Sequence, residues 1–142
     1  MTDRISLAQV DPICQAAFAM GAELGLKPLT VVVLDASGHL IAVRRQDDAA
    51  SLRVPIAYGK EGGALGLGSG RKIAEDAAKR LALTASLTPN SPHGLPPKPG
   101  AAIVVDASGR FIGAVRITGD ASNNDGICAQ AGIAAAGLTP QA

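Results

Sequence analysis

The chain has 142 residues, of which 47 % are apolar and 18 % charged, enough for one compact domain and hardly for two. So much apolar surface to bury excludes a disordered chain, and no apolar run approaches the ~20 residues a membrane helix needs. A net charge of +1, with 2 % aromatic residues and no tryptophan, offers nucleic acid neither a basic footprint nor a stacking platform.

The opening residues, Met1 to Ile5, turn polar without the apolar core of a signal peptide, so a cytoplasmic protein is expected. From Ser6 to Leu24 the residues Leu7, Val10, Cys14, Ala17, Phe18, Gly21 and Leu24 fall on one face of a helix. Ser6 and Gln9 have the spacing of a capping box. Pro12 either kinks that helix or stands at the first position of a fresh one capped by Asp11.

An internal echo follows. Thr30 to Val43 and Ala101 to Val115 each read as an apolar, β-branched run, the tetrapeptide Asp-Ala-Ser-Gly, and a second apolar run. Asp and Ser bond the local backbone while Gly takes the left-handed conformation, so each copy predicts an antiparallel hairpin. Between them, a second helix is expected from about Leu52 to Leu65, weakened by Gly59, Gly62 and Gly63. A third starts at Ser69, with Ile73, Ala77 and Leu81 on one face. Thr84 to Gly100 carries Pro89, Pro92, Pro96, Pro97 and Pro99 and predicts a long loop that covers a site or reaches a partner. A last helix after Asp120 presents Ile127, Ala131 and Ala134 or Ala135. The order predicts a single α+β domain over residues 1–142, with helices packed against one antiparallel sheet made of two hairpins.

Two glycine-rich or acidic stretches fail the motifs they approach. Gly66-Leu67-Gly68-Ser69-Gly70-Arg71-Lys72 has the spacing of neither a Walker loop nor a dinucleotide fingerprint. Asp120 to Gly126 begins like a calcium loop, but Asp125 stands where Gly is required and Ala131 where Glu is. Asp120 reads better as a helix cap and Asp125 as a first-turn acid, leaving Asn123 and Asn124 to contact a ligand. Cys14 and Cys128 read as buried, reduced thiols, and His39 as exposed beyond a turn. His93, in the proline-rich stretch, is a candidate proton carrier or ligand, with no second histidine beside it to build a metal site.

Chemistry concentrates in two further places. Arg44-Arg45-Gln46-Asp47-Asp48 closes the first hairpin, and Lys60 sits in an otherwise small-residue, apolar helix. Were its face buried, the Lys60 ammonium would need Asp47 or a ligand carboxylate, and its pKa could fall into a range useful for proton transfer. The 17 glycines, many alanines and only Phe18, Tyr58 and Phe111 as aromatics give a core of small side chains, which favours self-association.

Taken together, Val32 to Leu40, Arg45-Gln46-Asp47, Ile56 to Lys60, Pro99-Gly100, Phe111 to Val115, Thr118-Gly119 and Asp125 to Ala129 resemble the GlcG/HbpS-like family of haem-binding and haem-degrading domains. The resemblance covers nearly the whole chain. It implies a profilin-like sandwich assembled into homo-oligomers, and haem or a related tetrapyrrole as ligand. The sequence departs from the family in having no histidine between Ser6 and Leu24, so an axial contact would fall to His93, Thr118 or His39.

The expected function is therefore small-molecule binding, with Arg45, His93, Thr118, Asn123 and Asn124 as ligand contacts. The alternative is an isomerase, lyase or hydratase acting on a small organic acid. In that case Arg45 or Lys60 holds the carboxylate and Asp47, Asp125 or Lys60 moves the proton. A purely structural assembly domain is the third reading.

Overall fold

The computed structural model describes residues 3–50, 101–119 and 122–141. The helices expected around Leu52–Leu65 and after Ser69, the proline-rich stretch, Lys60 and His93 lie outside the described residues. The elements are α1 (Leu7–Glu23), β1 (Thr30–Asp35), β2 (Leu40–Arg45), β3 (Ala101–Val105), β4 (Phe111–Thr118), α2 (Ser122–Ala135) and β5 (Thr139–Pro140).

The two repeated sequences form the two expected hairpins, β1–β2 and β3–β4. Each is closed by the same chemistry. Asp35 Oδ1 accepts from the backbone N–H of Ser37 and of His39, both at 2.9 Å. Asp106 Oδ1 accepts from Ser108 N–H at 2.8 Å and Arg110 N–H at 3.0 Å. Gly38 and Gly109 then take φ of 84° and 83°, a left-handed turn that an L side chain would strain.

Antiparallel pairing of β1 with β4 joins the hairpins into one sheet of order β2-β1-β4-β3-β5. β1 and β4 are central and buried on both faces, which is why each reads as a continuous apolar run rather than an alternating one. β2, at the edge, is half-exposed along its length. Pro140 is tolerated because β5 is also an edge strand.

Both described helices pack on one face of the sheet. Val31, Val33, Val104, Val115 and Ile117 share a buried cluster with Val10, Ile13, Cys14 and Ala17 of α1 and Cys128, Ala129 and Ile133 of α2. Gly132 lets the helices touch: a Cβ there would stand 2.6 Å from the carbonyl oxygen of Ile13. On the other face Val32, Leu34 and Ile103 are also buried.

α1 begins as its sequence indicates. Ser6 N–H donates to Gln9 Oε1 at 2.9 Å, and Gln9 N–H to the Ser6 carbonyl at 3.1 Å. Pro12 lies inside an unbroken helix; the carbonyl it cannot bond is that of Ala8, on the exposed side. The helical faces need correction at their ends. Leu7 is 71 % and Leu24 43 % exposed, so the buried stripe of α1 is shorter than the periodicity suggests. In α2, Ile127 is 45 % exposed, and the buried stripe is Asp125, Cys128, Ala129, Gly132 and Ile133. The face is rotated because close approach to α1 selects small residues over the larger Ile127. Cys14 and Cys128 are free and buried, and His39 is exposed.

Candidate functional site

An open depression of about 540 Å³ lies where α1 ends, β1 begins and β2 ends. Its walls are Gly21 and Ala22 of α1, the connecting residues Leu26, Lys27 and Pro28, and Arg45, Gln46 and Asp47 at the end of β2. Two cations and one carboxylate thus meet a small apolar surface. Arg45 and Asp47, both candidates from the sequence, are brought together here; Lys27 and Gln46 join them unforeseen.

Gln46 fixes the geometry of this corner. Its Oε1 accepts from Leu29 N–H at 2.8 Å, and its own N–H donates to the Leu29 carbonyl at 3.0 Å. Its carbonyl then accepts from Ala49 N–H at 3.2 Å, closing a turn in which Asp48 takes φ of 66°. The side-chain amide orientation follows from the donor it faces, since an N–H can only be met by the oxygen. Neither Lys27, Arg45 nor Asp47 forms an ion pair with a described residue, in contrast to Arg44, which meets Asp11 of α1 at 3.2 Å.

Thr118 belongs to a second arrangement. Thr30 stands opposite both Arg45 on β2 and Thr118 on β4, so the three share the sheet face turned away from the helices. Thr30 and Thr118 are buried, and Thr30 Oγ1 meets no hydrogen-bond partner among the described residues. One row further along the same face is Arg116, opposite Val32. Its guanidinium lies 3.8 Å from the Asp125 carboxylate, and both side chains are almost wholly buried. Asn123 is exposed and Asn124 half-buried in the first turn of α2. Of the described candidates, Arg45 and Asp47 line the open depression, Asp125 lies in a buried charge pair, and Thr118, Asn123 and Asn124 line neither.

No three His, Cys, Asp or Glu side chains gather into a metal-binding group among the described residues. No described helix is long and apolar enough to cross a membrane.

These features define an α+β domain in which the described helices lie on one face of a five-stranded antiparallel sheet, with a depression walled by Lys27 and Arg45. The chain belongs to the HbpS-like haem degrading protein family, which it matches over residues 5–134. It is similar to the PduOC chain solved as a haem complex, with 21 % identity over 98 % of this chain and 99 % of that one and a TM-score of 0.82. It is also similar to the Klebsiella pneumoniae protein ORFY (22 % identity, 94 % and 90 % covered, TM-score 0.76). HbpS itself gives 23 % identity, 94 % and 91 % covered, and a TM-score of 0.75. At such identities the likeness establishes a shared fold. No curated protein matches the chain.

Proposed function

We propose that this chain is a small-molecule-binding protein whose ligand is haem or a related tetrapyrrole, held in the depression beside Arg45. Membership of the HbpS-like haem degrading family is the observation that carries this reading. The lining supports it: Leu26 and Pro28 give apolar contact, Lys27 and Arg45 give positive charge, and about 540 Å³ falls within the range of small-molecule sites. Bound haem would supply an iron centre; the described lining contains no His, Cys or Met to reach it. The partners on this reading are the ligand and further copies of the chain.

Titration with haemin tests the proposal. A saturable Soret change is expected, together with thermal stabilisation of about 2.7 kcal/mol at 100 times the dissociation constant. Absence of any saturable change overturns it.

One observation favours the second reading, an enzyme moving a proton on a small organic acid: Asp47 and Arg45 border the same depression, a carboxylate base beside a cation. Asp47→Asn would then abolish turnover of a responsive acid while leaving the fold unchanged. Full activity in that variant would exclude Asp47 as the base.

A further inference from the structure

Gln46 is unusual among the walls of the depression because it is locked. Its Oε1 is committed to Leu29 N–H and its backbone N–H to the Leu29 carbonyl, at 2.8 and 3.0 Å. The only donor its side chain has to offer is the Nε2 group, which no described residue takes up. Lys27 and Arg45 line the same depression, two cations without an ion pair to any described residue. Three donor side chains, one of them rigid, therefore line an open space whose described wall carries a single acidic residue, Asp47. Donors alone, with positive charge and no competing acceptor among the three, are what a carboxylate requires. Because Gln46 is held by the backbone of Leu29, just before β1, its part in binding costs little ordering.

We propose that Lys27, Arg45 and Gln46 form a carboxylate clamp, with Gln46 Nε2 as its fixed donor. The inference deepens the ligand-binding reading above and rests on it. The carboxylate comes either from the acid side arm of a tetrapyrrole or from a free organic acid.

Three probes separate these sources: metal-free protoporphyrin IX, its dimethyl ester, and propionate. Binding of the porphyrins is read by fluorescence, and propionate by the shift of the Gln46 side-chain NH₂ resonance. The variants are Gln46→Glu, which keeps an oxygen for Leu29 N–H but replaces the donor by a repelling charge, and Lys27→Gln at an exposed position. The free acid should bind about tenfold or more tightly than the ester. Both variants should erase that difference, and propionate should shift the Gln46 amide. Should acid and ester bind alike in all three proteins, the clamp is overturned while tetrapyrrole binding stands. If neither porphyrin binds but propionate shifts the Gln46 amide, and Lys27→Gln removes the shift, the clamp holds a free acid and the tetrapyrrole reading fails. If neither porphyrin binds and the amide stays silent, the clamp is wrong.

Discussion

Asp125 and Asp106 are both acids of local turns or first helical turns, yet their surroundings give them opposite duties. Asp125 is buried with its carboxylate 3.8 Å from the Arg116 guanidinium, so removing it takes an opposite charge away from an interior cation. Asp125→Ala should cost about 3–5 kcal/mol of stability, measured by denaturant unfolding. A change below about 1 kcal/mol would show that the pair does not hold α2 to β4. Loss of ligand binding in that variant would therefore say nothing of catalysis, whereas Asp47, exposed at the depression, can be replaced cleanly. Asp106 instead serves its hairpin turn. The Ser108 hydroxyl, donating to Oδ1 at 2.7 Å, and the Arg110 backbone N–H lower its pKa to about 2. A carboxyl whose pKa is depressed by folding stabilises the fold above its unfolded value, near 4, and loses that contribution as pH falls through about 2. The Asp106 carboxyl resonance should thus titrate near pH 2, and Ser108→Ala should move it upward. An unchanged midpoint in that variant would remove the hydroxyl as the main cause. For Cys14, burial raises the thiol pKa, so slow reaction with thiol reagents in the folded protein is expected.

At the scale of elements, the hairpins were legible because their chemistry is local. The signal lies in four consecutive residues, Asp35 to Gly38 and again Asp106 to Gly109, whose hydrogen bonds need nothing distant. The helix start at Ser6 was legible for the same reason. What failed depends on tertiary contact. Ile127 reads as the apolar anchor of the last helix, but the distance between α1 and α2 is set by Gly132 against the Ile13 carbonyl, which turns Ile127 outward. Gly132→Ala should accordingly cost about 1–3 kcal/mol, since the helices must separate to admit a methyl group. Thermal unfolding reads this directly, and an unshifted midpoint would mean the interface is looser than its geometry indicates.

Across the whole molecule, the pairing of β1 with β2 and the end of one helix bring together what the sequence keeps apart. Arg45 and Asp47 could be chosen from a run of charges, but Lys27 lies in a connecting segment, and Gln46 is an unremarkable amide until its bonds to Leu29 are seen. Half of the candidate site was thus readable as charge next to a strand end, and the other half only as geometry. Asp125 shows the same limit in another way: its polar company marked it in the sequence, but its approach to Arg116 at 3.8 Å could only be seen in the fold. The measurement that bears most directly on ligand binding at the depression is paramagnetic broadening of backbone amides by haemin. Saturable broadening centred on Ala22, Leu26, Lys27, Gln46 and Asp47 is the predicted result. Spectra that stay sharp at saturating haemin, or broadening centred on a distant part of the sheet, would contradict it.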